Sequence, residues 1–266
     1  MTKLNIYCVT NKRVNFLENH SYNLAWVGNE AAPINYLKCD NKENIFFKEK
    51  YYSELTFHYW YWKNLLNVEK NEWVGFCQKR RFWIKPNLEM KNINKENIKE
   101  FLITEPSKDW NNHDSIICRP IKISGAKKIK IIKRGWKNLL KDPTILFNKK
   151  KENIALHFDM HHGYGNIDKA IEEIEERDRN DFKKFVYEQD SFNPHIMFIS
   201  KPHIVDNWFS VLFPWLERCE KKFGFKELIG YDKTRLYAYL AERYLSFWFK
   251  KYSKHKEENW VQLDNF

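Results

Sequence analysis

Short runs of β-branched and aromatic residues alternate along this chain with amphipathic helical stretches, and this alternation limits the fold more than any other feature. The strand-like runs cover residues 4–10, 22–29, 73–78, 114–123, 195–201 and, as a strand or an extended loop, 154–168. The helical stretches cover residues 53–66, 167–189, 205–224 and 232–252. This order predicts an α/β fold with a mostly parallel sheet flanked by helices, and a helical C-terminal part.

The chain shows no internal repeat and no low-complexity linker. We therefore expect residues 1–252 to form a single domain and residues 253–266 to form a C-terminal tail. The five cysteines are scattered and make no C-x-x-C pair, which indicates a reducing compartment. The N-terminal apolar run ends too early for a signal peptide, and no apolar stretch is long enough to span a bilayer. These features predict a cytoplasmic protein.

The formal net charge of +11 suits an anionic partner. Nucleic acid, a phosphate-bearing metabolite and an acidic membrane surface all have the required charge. A solvated, lysine-rich surface explains the same excess equally well.

Cations follow directly after the apolar run at residues 73–77, in the sequence Gln78-Lys79-Arg80-Arg81. In open α/β sheets, ligands bind at the carboxyl ends of the strands. Arginine presents a rigid fork of donors that matches phosphate oxygens. The pattern therefore predicts a cradle for a diphosphate group, and the alternative is pairing with surface carboxylates.

The sequence HFDMHH contains the spacing D-x-H, in Asp159 and His161. If the segment is extended, His157, Asp159 and His161 point to one face, and these ligands suit manganese or zinc. The competing interpretations are hydrogen bonding to a sugar or an acceptor by His161, His162 and Asp168, or histidines in a solvated turn.

Two stretches, YYSELTFHYWYWKNLL and EWVGFCQKRRFW, resemble a family of bacterial surface-polysaccharide enzymes that has long been described only as a domain of unknown function. In that family an E-L-T segment precedes Y-W-x-W-K-N, and a strand runs into H-Y-R-R-Y-F. Further similar segments follow the same order in this chain: CDNKENI, PHIMFISK and RLYAYLAERYLSFWF. The chain departs from the pattern at Gln78 and Lys79, where the family has His-Tyr, and at Glu43, beside a missing glycine.

The resemblance implies a GT-A-like, Rossmann-type glycosyltransferase. Such an enzyme would move a sugar, with galactofuranose as a candidate, from a UDP-sugar to a glycan hydroxyl in capsule or lipopolysaccharide synthesis. A polyprenyl-diphosphate-linked glycan is the implied acceptor, an anionic membrane surface a further partner, and manganese or magnesium a candidate cofactor. The expected donor-binding residues are Thr10, Asn11, Asp40, Asn41, Glu54, Lys63, Gln78, Arg80 and Arg81.

Transfer with inversion requires a general base near the acceptor hydroxyl. The candidate bases are Asp159, Asp190, Glu242 and Glu54. Glu242 precedes Arg243 inside an apolar helical stretch, where a structural ion pair is the alternative. Glu54 begins a helix, where an interaction with the helix dipole is equally consistent.

Two other classes of function remain open at this point. An inactive member of the family could act as a scaffold in a glycan-assembly complex. A nucleic-acid-binding module would also be basic and aromatic, but the aromatic residues fall on helical core faces and no known binding motif is present. We therefore expect no nucleic-acid partner.

Overall fold

The computed structural model describes residues 2–86, 92–125 and 127–263. The chain divides into two compact units. The first unit comprises Met1–Arg119, His195–Val211 and Trp248–Phe266, and the second comprises Pro120–Pro194 and Leu212–Phe247. The assignment of residues 1–252 to a single domain stays a prediction.

The strands are short, and most of them lie in the first half of the chain. They are β1 (Lys3–Thr10), β2 (Asn23–Trp26), β3 (Leu37–Lys38), β4 (Glu72–Gln78), β5 (Arg81–Trp83), β6 (Ser115–Cys118), β7 (Ile121–Lys122), β8 (Ser191–Phe192), β9 (Phe198–Ser200), β10 (His255–Glu258) and β11 (Trp260–Gln262).

The helices become longer toward the C-terminus. They are α1 (Glu49–Tyr52), α2 (Leu55–Asn64), α3 (Ile98–Phe101), α4 (Lys128–Arg134), α5 (Trp136–Lys141), α6 (Ile154–His162), α7 (Asn166–Glu172), α8 (Glu176–Glu188), α9 (Pro202–Phe223), α10 (Tyr231–Thr234) and α11 (Leu236–Tyr252). In the described ranges, no helix is both long and apolar enough to cross a bilayer.

The first unit is built on a central sheet with the strand order β10-β6-β9-β4-β1-β2-β3. The strands β4, β1, β2 and β3 are parallel to one another, and β10 is parallel to β6. Strand β9 runs antiparallel between β4 and β6, while β5 pairs with β4 and β11. The predicted class, a mixed α/β fold with a mostly parallel central sheet flanked by helices, is confirmed.

Alternation in β1 explains how this sheet is packed. Ile6 and Cys8 belong to a buried cluster on one face, whereas Tyr7 points to the other face and contacts Tyr61 of α2 at a ring-centroid distance of 4.8 Å. On that second face Phe76 of β4 packs against Phe198 of β9 at 5.1 Å. The aromatic helix α2 is therefore a core element of the first unit.

The second unit is mostly helical, with the two-stranded sheet β7-β8 as its β-structure within the described residues. Phe182 of α8 packs against Tyr244 of α11, with ring centroids 5.2 Å apart. Trp215 of α9 also contacts Tyr244 and donates its indole N–H to the carbonyl of Ala170 in α7 at 2.9 Å. These buried aromatic contacts give the second unit a core of its own.

Two segments differ from the sequence predictions. Residues 154–168 form helix α6 and the start of α7, so the prediction of a strand or an extended loop there is wrong. The side chain of Asn153 accepts a hydrogen bond from the backbone N–H of Leu156 and caps α6, a signal stronger than the apolar run that suggested a strand. Residues assigned to a C-terminal tail form β10 and β11. The charged sequence HKEE of β10 gives no strand signal.

Candidate functional site

The parallel strands β1 and β4 end side by side at one edge of the sheet, because Val9 is in register with Gln78. From β1 the chain continues outward to β2 and β3, and it then crosses to β4 on the other side of β1. A change of direction of this kind leaves a crevice at the carboxyl ends of the two strands, where open α/β sheets bind ligands. We call the residues at and directly after these two strand ends the sheet edge, and they include Thr10, Asn11, Gln78 and Lys79.

Hydrogen bonds connect the predicted donor-binding residues of the sheet edge. Gln78 is central, because its amide N–H donates to Glu54 Oε1 and its Oε1 accepts from Arg81 Nη1 at 2.7 Å. Lys79 Nζ donates to Asn11 Oδ1. The hydroxyl of Thr10 is buried and donates to the carbonyl of Lys12 at 2.5 Å. The polar groups of the edge are therefore fixed in place by neighbouring side chains and backbone.

The run of cations after β4 forms a tight hairpin turn. Gln78 and Arg81 face each other across β4 and β5, with Lys79 and Arg80 between them. Arg80 Nε lies 3.5 Å from the carbonyl of Leu263. In the described ranges, the acceptors of the Arg81 guanidinium are neutral amide oxygens of Gln78 and Gln262, so no carboxylate balances its charge.

The other predicted donor-binding residues lie on separate features of the first unit. Asp40 lines a cavity of about 240 Å³ at the ends of β2 and β3, beside Trp26 and Gly28. The indole N–H of Trp60 is shared between the backbone carbonyl and Oδ1 of Asn41, at 3.0 and 3.1 Å. Lys63 Nζ lies 3.7 Å from the ring centroid of Trp62. Asn41 therefore has a structural contact, and Lys63 belongs to the surface of α2.

In the second unit, Asp159 of α6 accepts hydrogen bonds from two groups of the same unit. Asn138 Nδ2 donates to one carboxylate oxygen and the backbone N–H of Gly165 donates to the other, both at 3.0 Å. Burial nevertheless raises the pKa of Asp159 to about 6. A carboxylate with this pKa changes its protonation state close to neutral pH, as a general base requires.

Asp159 and Asp168 line one cavity of about 530 Å³, which we call the carboxylate cavity. The hydroxyl of Tyr187 donates to Asp168 Oδ1 at 2.8 Å. Lys141 and Lys151 also line this cavity. The structure thus brings together one predicted catalytic residue and one predicted acceptor-binding residue, in a cavity whose lining includes side chains that can hydrogen-bond to hydroxyl groups.

His157 and His161 of α6 do not share a face with Asp159. Residues 157 and 161 are one helical turn apart, with ring centroids at 4.7 Å, whereas residue 159 lies about 200° around the helix from residue 157. The prediction that these three side chains point to one face is therefore wrong, because the segment is helical.

His161 and His162 have partners within the second unit. His161 Nδ1 lies 2.9 Å from Arg134 Nη1, and burial lowers the pKa of His161 to about 4. His162 stacks on Tyr239 at 3.8 Å, and its Nδ1 lies 2.8 Å from the carbonyl of Asp232. Both rings are therefore neutral near pH 7, and their assignment to sugar or acceptor binding stays a prediction.

The residues Asp159 and His161 do not fit a divalent metal ion. The carboxylate of Asp159 faces two amide donors, and an arginine approaches the ring nitrogen of His161. Across the described ranges, no group of three or more His, Cys, Asp or Glu side chains is arranged to hold a metal.

Of the three other candidate bases, Glu54 accepts a hydrogen bond from Gln78 at the sheet edge, and Asp190 and Glu242 lie in different surroundings. Asp190 accepts a hydrogen bond from the Ser124 hydroxyl at 2.7 Å, which lowers the pKa of its carboxyl, and it pairs with Lys122 at 3.5 Å. Glu242 is bound by Arg243, which is buried and lies 3.8 Å from the ring centroid of Phe192. A lowered pKa makes Asp190 a weak base, and the Arg243 contact favours the structural role for Glu242.

Sequence reasoning missed the residues that complete the carboxylate cavity. Asn138 is 21 residues before Asp159, and Tyr187 is 19 residues after Asp168. Neither belongs to a motif, and no spacing rule connects residues on different helices that far apart. Assigning residues 154–162 correctly to a helix is the step that could have helped to find the cavity from sequence.

Comparisons with known proteins agree with this fold. A family model described as a domain of unknown function (DUF4422) matches residues 5–255. No curated protein matches the chain. Among solved structures, the chain is similar to the apo structure of WbbM, a bifunctional glycosyltransferase, with a TM-score of 0.76 and 20% identity. This similarity covers 99% of the chain but only 46% of WbbM, and at this identity it shows a shared fold.

Proposed function

The chain belongs to the family described as a domain of unknown function, DUF4422, and from this premise we propose that it is a glycosyltransferase that uses a nucleotide-sugar. One observation carries the proposal. At the carboxyl ends of β1 and β4, the guanidinium of Arg81 donates to the side chains of Gln78 and Gln262, and these neutral amides are its acceptors among the described residues. An oriented cation whose acceptors, among the described residues, are neutral suits the diphosphate of a nucleotide-sugar at this edge.

The chemistry of the donor explains why such a cation is needed. When the bond between the anomeric carbon and the diphosphate oxygen breaks, negative charge develops on the diphosphate. A guanidinium held by Gln78 and Gln262 stabilises that charge without having to reorganise. Lys79 and Asn11, which are joined by a hydrogen bond, add further polar groups at the edge.

We assign the general base to Asp159. In the proposed transfer, the carboxylate takes the proton of the acceptor hydroxyl, the acceptor oxygen bonds to the anomeric carbon, and the nucleoside diphosphate leaves with the electron pair. The raised pKa of about 6 supports this role, because such a carboxylate is ionised at pH 7 and still a stronger base than an exposed aspartate. Asp168 and Tyr187, which line the same cavity, are suited to hydrogen bonding with acceptor hydroxyls.

The finer details of the reaction rest on the family resemblance. It supports UDP as the nucleotide, galactofuranose as a candidate sugar, transfer with inversion, and a polyprenyl-diphosphate-linked glycan as the acceptor in surface-polysaccharide synthesis. WbbM, which shares the fold, is a glycosyltransferase, and this is consistent with the same class of activity. We propose a cytoplasmic location, which is consistent with the use of a nucleotide-sugar.

Thermal unfolding with added nucleotides tests the proposal. We expect UDP and UDP-sugars to raise the melting temperature more than CMP or GDP does, and we expect Arg81→Ala to remove most of this increase. Arg177→Ala, which changes an exposed arginine of the second unit, is the matched control and should leave the increase intact. An equal response to UDP in both variants contradicts the role of Arg81.

A second measurement separates an active enzyme from an inactive scaffold. Purified protein incubated with UDP-galactose, UDP-galactofuranose or UDP-glucose should release UDP slowly, because water can replace the acceptor hydroxyl. A protein that binds UDP but releases none from any of these donors, with or without a lipid-linked glycan acceptor, would be a scaffold.

A further inference from the structure

One segment of the second unit carries a large share of the chain's positive charge. Residues 127–151 contain ten lysines and arginines and a single acidic residue, Asp142. Nine of the ten cations are exposed, and within the described residues only Arg134 and Lys151 have a carboxylate partner. The segment therefore presents a dense and mostly uncompensated positive surface.

The same segment also exposes large apolar side chains. Helices α4 and α5 follow each other with only Gly135 between them, and the backbone N–H of Leu139 bonds to the Gly135 carbonyl at 3.0 Å. At about 100° per residue, four exposed side chains fall within one arc of about 80° along this pair of helices. These side chains, which we call the outer stripe, are Ile129, Ile132, Trp136 and Leu140.

A different face of the two helices packs against the second unit itself. Ile131 is buried in a small cluster with Leu156 and Met160 of α6, and Leu139 packs against that cluster. A Cβ atom at Gly135 would lie 2.8 Å from the carbonyl oxygen of Ile131 and 3.3 Å from Met160 Cγ. The inner face of α4 and α5 therefore packs against the second unit itself, and the outer stripe is a separate, exposed apolar surface.

Aromatic side chains extend the outer stripe on both sides. Phe147 is 82% exposed, and Lys128 Nζ lies 5.2 Å from its ring centroid, which brings this ring beside the start of α4. Lys137 lies between Trp136 and Tyr164, at 5.6 and 5.8 Å from their ring centroids. Aromatic rings flanked by lysines are typical of surfaces that lie at the interface between water and lipid.

We propose that residues 127–147 bind the surface of an anionic lipid bilayer. The outer stripe and Phe147 would enter the headgroup region, while the flanking lysines contact lipid phosphates. Charge complementarity favours this partner over a second copy of the chain, since two such segments would repel each other. The apolar stripe favours lipid over nucleic acid, because phosphate contacts alone would not require exposed leucine, isoleucine and phenylalanine.

Vesicle co-sedimentation tests this proposal with the whole chain. The vesicles would be pure phosphatidylcholine, or phosphatidylcholine with about one-third phosphatidylglycerol, at near-physiological salt. We expect binding to the anionic vesicles and little binding to the neutral ones. No nucleotide-sugar is needed for this measurement, so its result is separate from that of the nucleotide experiments.

A matched pair of variants identifies the surface. Leu140→Glu and Ile34→Glu make the same change of charge at exposed aliphatic residues, of which Leu140 is 77% exposed and Ile34 is 100% exposed. We expect Leu140→Glu to weaken vesicle binding by about tenfold or more, and Ile34→Glu, in the first unit, to do much less. Because Leu140 is exposed, the melting temperature should remain close to that of the unchanged protein.

Three results would overturn the proposal. The first is equal binding to neutral and anionic vesicles, and the second is a Leu140→Glu effect no larger than that of Ile34→Glu. The third is binding to double-stranded DNA at least as tight as binding to anionic vesicles and insensitive to Leu140→Glu. That third result would assign the segment to nucleic acid.

Discussion

The sheet edge of the first unit positions a cation, whereas the carboxylate cavity of the second unit raises the pKa of a carboxyl group. At the sheet edge, strand register places Arg81 among neutral amides, so a cation is fixed and its charge stays available. In the cavity, helix α6 holds Asp159 half-buried, and this partial burial raises the pKa of that carboxyl to about 6. The first arrangement suits holding an anion, and the second suits accepting a proton.

Among the variants that test this comparison, we expect Asp159→Asn to have the largest effect on activity. The amide keeps the shape and the hydrogen bond from Gly165 but cannot accept a proton, so we expect kcat to fall by about 10²- to 10⁴-fold. The affinity for UDP should change little. Steady-state transfer kinetics and UDP titration measure the two quantities.

Asp181→Asn is the control for this variant, because Asp181 is an exposed aspartate of α8. It should keep the original kcat. If Asp159→Asn retains kcat as well, the base must be sought elsewhere, and a parallel loss of UDP affinity would indicate a general structural defect.

The pH dependence of the transfer rate should report the ionisation of the Asp159 carboxyl. Asp159 acts as a base only when ionised, and its pKa is about 6, so kcat should fall about tenfold for each pH unit below 6. Above pH 7 this limb should be flat. A profile of kcat from pH 5 to pH 8 measures it, and a limb near pH 4, where an exposed aspartate titrates, would contradict the assignment.

The role of the guanidinium shape at the sheet edge can be tested with a substitution that keeps the positive charge at residue 81. Arg81→Lys retains the cation but loses the planar fork that is held by Gln78 and Gln262. We expect the affinity for the nucleotide-sugar to fall about tenfold, with the pH profile of kcat unchanged. Isothermal titration with UDP and its sugar derivatives gives the affinity. Full affinity in the lysine variant would mean that charge alone matters at this position.

The strands of the sheet edge were predictable from sequence, whereas the surroundings of the carboxylate cavity were not. Residues 4–10 and 73–78 alternate or run apolar in the manner of buried strands, and the structure has strands at Lys3–Thr10 and Glu72–Gln78. Polar residues directly after two neighbouring parallel strands meet at one edge, so the meeting of Asn11 and Lys79 follows from local signals.

The carboxylate cavity depends on contacts between helices that are far apart in the sequence. The run at residues 154–158 is apolar without a clear period, and such a run fits a strand or a buried helix equally well. Choosing the strand led to the wrong prediction that His157 and His161 share a face with Asp159. The partners Asn138 and Tyr187 come from other helices, and only the tertiary structure brings them to the cavity.

The smallest effect concerns how the sheet edge positions its cation. Gln78 accepts a hydrogen bond from Arg81 and donates one to Glu54, and Gln78 is a neutral residue at which the chain departs from the family pattern. Gln78→Ala should weaken binding of the nucleotide-sugar by about two- to tenfold, the range expected for one lost hydrogen bond, and it should leave the pH profile of kcat unchanged. Gln78→His would restore the residue of the family pattern and can still accept a hydrogen bond from the guanidinium. If the histidine variant binds at least as tightly as the unchanged protein while the alanine variant does not, then position 78 acts by orienting Arg81. Equal binding by all three proteins would show that Arg81 holds its position through Gln262 alone.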